Sequence, residues 1–342
     1  MLSTLMLAIS ATGCAAPDLD SPSPAFVPVY AANFPDPFIL PHNGRFLAYA
    51  TNAERLQANV QMAVSDDLVS WAPLRRDGKL HDAMPELPRW AQQGWTWAPE
   101  VMQLGGRYLM YFTARERTSQ RQCTGVAHSN NPRGPFVSEA DEPLLCQREL
   151  GGTIDANPFQ DADGQLYLYF KPDANAVGKP TEIMVQRLTP DGLQLVGEQE
   201  LLLRNDKPWE AHVIEAPTMV RQGDSYILFY SANHFGWEKH QRLSPYAIGH
   251  ARCDTPMGPC TEAPGNPLLQ SVNNRQAGCL SGPGHQAIFE AGGRQYMVFH
   301  AHAARPGCRN AHSGRQMYVA PLLWQDGEPV LGQSLRPRNQ KL

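Results

Sequence analysis

Asp155-Ala156-Asn157-Pro158-Phe159, a turn at Asp163-Gly164 and a returning strand with Tyr167 and Tyr169 form a unit that the chain uses five times. The other copies are Asp36-Pro37-Phe38-Ile39-Leu40 with Asn43-Gly44 and Tyr49, and Glu100-Val101-Met102-Gln103 with Gly105-Gly106, Tyr108 and Tyr111. Glu215-Ala216-Pro217-Thr218-Met219 with Gly223, Tyr226 and Tyr230, and His285-Gln286-Ala287-Ile288-Phe289 with Gly292-Gly293 and Tyr296, complete the set. A long, steady period of this kind marks a repeat architecture.

Each unit continues into a second strand pair. Val60 to Trp71, Gly125 to Phe136, Thr181 to Gly192, Ile248 to Pro259 and Gln316 to Gly327 each give a short alternating run and then a turn rich in Asp, Asn, Pro or Gly. Two hairpins per repeat make four antiparallel strands, which is one propeller blade. No segment sustains the i, i+3, i+4, i+7 apolar spacing of a helix. Near-continuous apolar runs such as Phe46-Leu47-Ala48-Tyr49-Ala50 suit strands buried on both faces. The expected fold is therefore all-β: a five-bladed β-propeller with four-stranded antiparallel blades.

Composition agrees. Of 342 residues, 42% are hydrophobic and only 18% charged, with 28 Gly and 30 Pro, as in a turn-rich strand protein. A net charge of −4 gives no electrostatic reason to expect nucleic acid or an anionic membrane as partner. Residues 1–13 are apolar and too short to span a bilayer. They run into Ala11-Thr12-Gly13-Cys14, which resembles a bacterial lipoprotein signal with Cys14 as the lipid anchor; the plainer alternative is an uncleaved terminus with an incidental cysteine. Residues 1–30 are thus expected as leader and tether, and 31–342 as the propeller. Six further cysteines make an even set, as in an exported, disulfide-bonded protein that is periplasmic, anchored at the outer membrane or secreted. Proximity favours Cys123–Cys146, Cys253–Cys260 and Cys279–Cys308 among the possible pairings.

In a propeller the first strand of every blade lines the axis, so the leading residues crowd one mouth of the channel. Asp36, Asp155 and Glu215 are expected to meet there, with Glu100 and His285 on the same ring. Neighbouring carboxylates raise one another's pKa, which a fold built only for stability avoids. Here the residues carry a resemblance. Phe34-Pro35-Asp36-Pro37-Phe38, Trp97-Ala98-Pro99-Glu100-Val101, Ile154-Asp155, Ile214-Glu215-Ala216-Pro217 and Gly284-His285 resemble glycoside hydrolase family 43 across all five repeats.

The resemblance implies an inverting glycosidase that acts on arabinofuranosyl or xylosyl linkages of plant polysaccharides or their oligosaccharides, with a lean toward an α-L-arabinofuranosidase or arabinanase. Asp36 corresponds to the general base, Glu215 to the general acid, and Asp155 to the carboxylate that tunes and orients the acid. His285 corresponds to an axial histidine that lies beside a structural calcium or sodium ion in many members; the chemistry itself calls for no cofactor. Trp97 and Arg315 correspond to positions close to the sugar, and Trp71 and Trp95 are further stacking candidates. Glu100 reads as scaffold. The competing reading is a non-catalytic propeller that binds glycans or proteins, which loss of any of the three carboxylates would have favoured.

Overall fold

The computed structural model describes residues 26–52, 57–237, 241–274, 278–305 and 308–336. The leader with Cys14 lies outside them. Blade one consists of β1 (Phe38–His42), β2 (Arg45–Ala50), β3 (Gln61–Ser65) and β4 (Trp71–Pro73). A small hairpin, β5 (Arg75–Arg76) and β6 (Lys79–Leu80), precedes blade two, which holds β7 (Ala91–Leu104), β8 (Arg107–Glu116) and β9 (Gln122–Ser129). The fourth position of that blade is marked by a bridge between His128 and Val137. Blade three comprises β10 (Thr153–Gln160), β11 (Leu166–Pro172), β12 (Glu182–Leu188) and β13 (Leu195–Arg204). Blade four comprises β14 (Ile214–Gln222), β15 (Ser225–Ala232), β16 (Ala247–Cys253) and β17 (Cys260–Glu262). After a second small hairpin, β18 (Val272–Asn274) and β19 (Gly278–Leu280), blade five closes the set with β20 (Gly284–Ala291), β21 (Arg294–Arg305), β22 (Arg309–Gln325) and β23 (Glu328–Leu331). The pairing of strands within each blade is antiparallel, and the architecture is the expected five-bladed propeller.

The second strand of each blade explains the apolar runs. Its side chains alternate in direction, so one strand feeds two interfaces. Leu47 and Tyr49 pack toward blade two, whereas Ala48 and Ala50 pack toward blade five. Leu109 and Tyr111 face blade three, Tyr167 and Tyr169 face blade four, and Ile227 and Phe229 face blade five. The five apolar clusters are the five blade interfaces. The repeated tyrosines add a polar tie at the far end of each ring: Tyr49 donates to the Pro132 carbonyl, Tyr111 to Gly192 and Tyr169 to Pro256, each on the next blade. A buried hydroxyl needs such a partner.

Among the described residues, the ring closes through an isolated bridge between Tyr30 and Met317 and not through a shared strand. Phe26 packs edge-on against Phe299, Val29 N–H donates to the Met317 carbonyl at 2.9 Å, and Phe34 N–H donates to Arg315 O at 2.8 Å. The chain therefore docks on blade five from residue 26 onward. Three disulfides have the expected pairing: Cys123–Cys146, Cys253–Cys260 and Cys279–Cys308.

One detail corrects the repeat register. A residue with left-handed φ opens the inner strand of every blade: Asp36 (55°), Ala98 (46°), Asp155 (57°), Ala216 (52°) and His285 (49°). In β7, β10, β14 and β20 it coincides with a register shift, between Trp97 and Glu100, Ile154 and Asn157, Glu215 and Thr218, and Gly284 and Ala287. Glu100 therefore matches Asn157 and Thr218, two residues deeper in the channel, and is not on the ring of Asp36. Sequence spacing alone misaligns it because the repeats differ in length by several residues, so a slip of two positions leaves no trace.

Glu100 is buried and accepts a hydrogen bond from Asn157 Nδ2 at 2.7 Å, while Asn157 Oδ1 accepts Met219 N–H at 3.0 Å, which links three inner strands. Burial pushes the Glu100 carboxyl up to about 8, against the Asn157 bond and with help from Asp155. A group that keeps its proton to about pH 8 when folded but sheds it near 4.5 when unfolded stabilises fully below the lower value and loses that contribution as pH rises through the upper one. Glu100→Gln keeps the acceptor for Asn157 and removes the titration. Its melting temperature should exceed the parent's by several degrees at pH 8 and match it near pH 4.5. Equal melting temperatures at both pH values would contradict this account of Glu100.

Candidate active site

The left-handed turn aims side chains across the channel mouth. Asp and His tolerate that backbone region better than most residues. Asp36, Asp155 and His285 occupy it directly, whereas blades two and four place Ala there and contribute nothing at that point. Glu215 enters from one residue earlier, from the strand side of its bulge. The outcome is asymmetric: Asp36, Asp155, Glu215 and His285 line one cavity of about 160 Å³, together with Trp97, Arg315, Thr51, Ile154, Phe235 and Tyr246. A larger opening of about 390 Å³, lined by Glu100, Phe159, Arg221 and Phe289 among others, contains none of these carboxylates, so the smaller cavity is the candidate site.

Asp36 is surrounded by donors. Arg315 Nη1 donates to Oδ1 at 2.9 Å, Thr51 Oγ1 donates to Oδ2, and His285 Nδ1 lies 3.4 Å from Oδ1. His300 Nδ1 accepts the Asp36 backbone N–H at 3.1 Å, which fixes the strained turn, and burial pulls this histidine down to about 3, so it is neutral. Burial alone would raise Asp36. The Arg315 guanidinium, then His285, overrule it and hold the carboxyl well below the usual range. Arg315 is itself placed by its backbone N–H to Asn33 Oδ1 at 2.9 Å, and its guanidinium carbon sits 5.5 Å from the Phe235 ring centre.

Asp155 has the opposite setting. Its Oδ2 accepts Ala216 N–H at 3.0 Å, a tie from blade three to blade four beside Glu215. Burial raises its pKa, as do Glu215 and Asp36, while His285 and Lys171 pull it back. Glu215 is held at both oxygens: Tyr246 O–H donates to Oε1 at 2.7 Å, and Lys171 Nζ lies 3.3 Å from Oε2. Tyr246 reaches it only because residue 284 is glycine, since a Cβ there would stand 2.0 Å from the tyrosine ring. That accounts for the Gly284-His285 pair.

Of the residues expected at the site, Asp36, Asp155, Glu215, His285, Trp97 and Arg315 come together. Trp71 does not. It lies on outer strand β4, donates from Nε1 to Leu68 O at 2.9 Å and packs at the interface of blades five and one. Trp95 neighbours Trp97 at 6.2 Å, outside the cavity lining, with the Arg115 guanidinium 3.2 Å above its ring. His285 belongs to no group of three or more His, Cys, Asp or Glu with ligand atoms within 4.8 Å of one another among the described residues. Thr51, Phe235, Tyr246, Lys171 and His300 escaped the sequence reading. Only Lys171 left a signal, as a charge ending the apolar run Leu166-Tyr167-Leu168-Tyr169-Phe170.

Comparison with known proteins agrees with this geometry. An extracellular endo-α-(1→5)-L-arabinanase 2 of Bacillus subtilis is 25% identical, over 90% of this chain and 73% of that protein. An extracellular exo-α-(1→5)-L-arabinofuranosidase of Cellvibrio japonicus is 26% identical over 70% and 72%. Among solved structures, a thermostable family-43 glycoside hydrolase superposes with a TM-score of 0.77 at 27% identity, covering 93% of this chain and 99% of that one. An endo-1,4-β-xylanase from Bacteroides thetaiotaomicron gives 0.73 at 28%, covering 91% and 98%. The family model described as glycosyl hydrolases family 43 matches residues 26–329. With five blades, a shared cavity for three carboxylates and that match, the chain belongs to glycosyl hydrolases family 43 and is a glycoside hydrolase.

Proposed function

We propose that the protein hydrolyses arabinofuranosyl or xylosyl linkages of plant polysaccharides or their fragments with inversion, and that arabinan is its main target. The observation that carries the reading is the electrostatic separation of carboxyls lining one cavity, with Asp36 held well below the usual range and Asp155 raised beside Glu215. The low-lying carboxyl, Asp36, suits a base, and Glu215, held at both oxygens in the same cavity by Tyr246 and Lys171, is assigned as the acid. Asp36, ionised, takes a proton from a water as the water oxygen bonds to the anomeric carbon. Glu215 gives its proton to the glycosidic oxygen as the carbon–oxygen bond breaks. Asp155 positions Glu215 through its hydrogen bond to the adjoining Ala216 N–H. The products are the inverted hemiacetal and the released alcohol, after which Asp36 and Glu215 return to their starting protonation through solvent. Such chemistry moves only protons and needs no cofactor, and none of its steps passes through a metal.

Substrate class follows from size and relatives. The cavity of about 160 Å³ is small beside the roughly 300–1,000 Å³ of drug-sized pockets and suits one sugar ring. Trp97 supplies an apolar wall, and Arg315 a planar donor for sugar hydroxyls. Relatives named as arabinanase and arabinofuranosidase support the arabinan preference. Three disulfides and relatives named extracellular support export.

Two outcomes test the reading. Aryl α-L-arabinofuranoside, aryl β-D-xyloside and linear arabinan should include at least one good substrate, and Glu215→Gln should lose about a hundredfold or more on poor leaving groups while keeping the parent's fold. No release from the panel, or a fully active Glu215→Gln on such a substrate, would sink the assignment. Arg315 favours the ionised form of Asp36, the form a base needs, so activity falls as pH drops through that group. Arg315→Gln should accordingly move the acidic limb of the kcat/KM profile to higher pH; an unmoved limb would count against Asp36 as base.

A further inference from the structure

We propose that Lys171 is a positioning residue that sets the upper pH limit of the reaction, holding the Glu215 carboxyl from behind with a buried positive charge. The inference rests on Glu215 being the acid. Lys171 is the penultimate residue of β11, opposite Ile154 on β10, and its side chain is fully buried. An ammonium has three N–H donors. Here they face Asn175 Oδ1 at 2.6 Å, Asp173 Oδ1 at 3.1 Å and Glu215 Oε2 at 3.3 Å. Burial pulls the lysine's pKa down, but Glu215, Asp173 and Asp155 outweigh it and keep it charged. Lys171 is absent from the cavity lining, so it acts through Glu215 and touches no sugar.

Opposing fields make this position useful. The charges facing Glu215 are Asp155 on β10, Lys171 on β11 with Asp173 just beyond it, and His285 on β20, with the Asp36–Arg315 pair across the cavity; Tyr246, ahead of β16, adds its hydroxyl. Asp155 favours the protonated acid, ready for the leaving group. Lys171 favours the carboxylate that appears as the proton departs, and a fixed charge is most effective where water is excluded. The balance of the two decides how far into alkaline pH the acid keeps its proton. Asp173 is the regulator of the regulator: its carboxylate offsets Lys171, and it makes no side-chain cap to the short turn Ala174–Val177 that follows.

The two neighbours therefore predict shifts of opposite sign in the alkaline limb of kcat/KM. Removing the positive charge in Lys171→Met should move the limb up by about one pH unit. Removing the offsetting negative charge in Asp173→Asn should move it down. If Lys171→Met does not fold, Lys171→Met/Asp173→Asn removes the carboxylate that the lysine would otherwise leave unpaired beside it and should still move the limb upward. Glu215→Gln, measured alongside, should lack the limb altogether. A limb that is lost in Glu215→Gln but unmoved in the folded lysine and aspartate variants overturns the role of Lys171 alone. A limb that persists unchanged in Glu215→Gln overturns the acid assignment and this role with it.

Discussion

A left-handed residue at the head of each inner strand turns the chain toward the axis, and in four blades it sits at a bulge that breaks the pairing. A regular strand would alternate its side chains between neighbouring blades and present none of them end-on to the channel mouth. The break supplies the end-on direction. It also leaves backbone groups that need partners, and the site residues provide them: Asp155 accepts Ala216 N–H, His300 accepts Asp36 N–H, and Thr51 Oγ1 accepts Ala98 N–H. Inner strands of adjacent blades are thus tied through the same side chains that form the cavity. Site geometry and ring integrity depend on one set of contacts.

Charge balance follows from that crowding. Three carboxyls in a small, largely buried space would repel one another and lose hydration. Two cations are placed against them, Arg315 at Asp36 and Lys171 at Glu215, and Asp155 between them keeps no cation of its own. Its partners are a backbone N–H and the field of His285, and burial raises its pKa. The three acids are chemically alike in sequence and differ in function through which cation each one meets.

Much of this was legible in the residues. Turn spacing and apolar runs revealed the five blades, because a two-faced buried strand cannot tolerate polar side chains. Cysteine proximity pointed to the disulfides, which close short loops within single repeats. Asp36, Asp155 and Glu215 stood out at the heads of repeats. What did not show was anything set by the bulges or by packing between repeats. Glu100 resembled a ring member because the repeats differ in length by several residues, which hides a slip of two positions. Trp71 resembled a sugar platform because an indole at a blade interface and one at a cavity wall look alike in sequence. Tyr246 and Lys171 reach Glu215 from other strands, and Gly284, the residue that admits Tyr246, is informative only once the ring beside it is seen.

The central claim is that Asp36 activates a water on one side of the sugar while Glu215 protonates the leaving oxygen on the other. Proton NMR of the first product released from an aryl α-L-arabinofuranoside, recorded before mutarotation, reads this directly. The account predicts that the β-anomer of arabinofuranose appears first and then equilibrates. First appearance of the α-anomer would mean that a carboxylate, not water, attacks the anomeric carbon, and would contradict it.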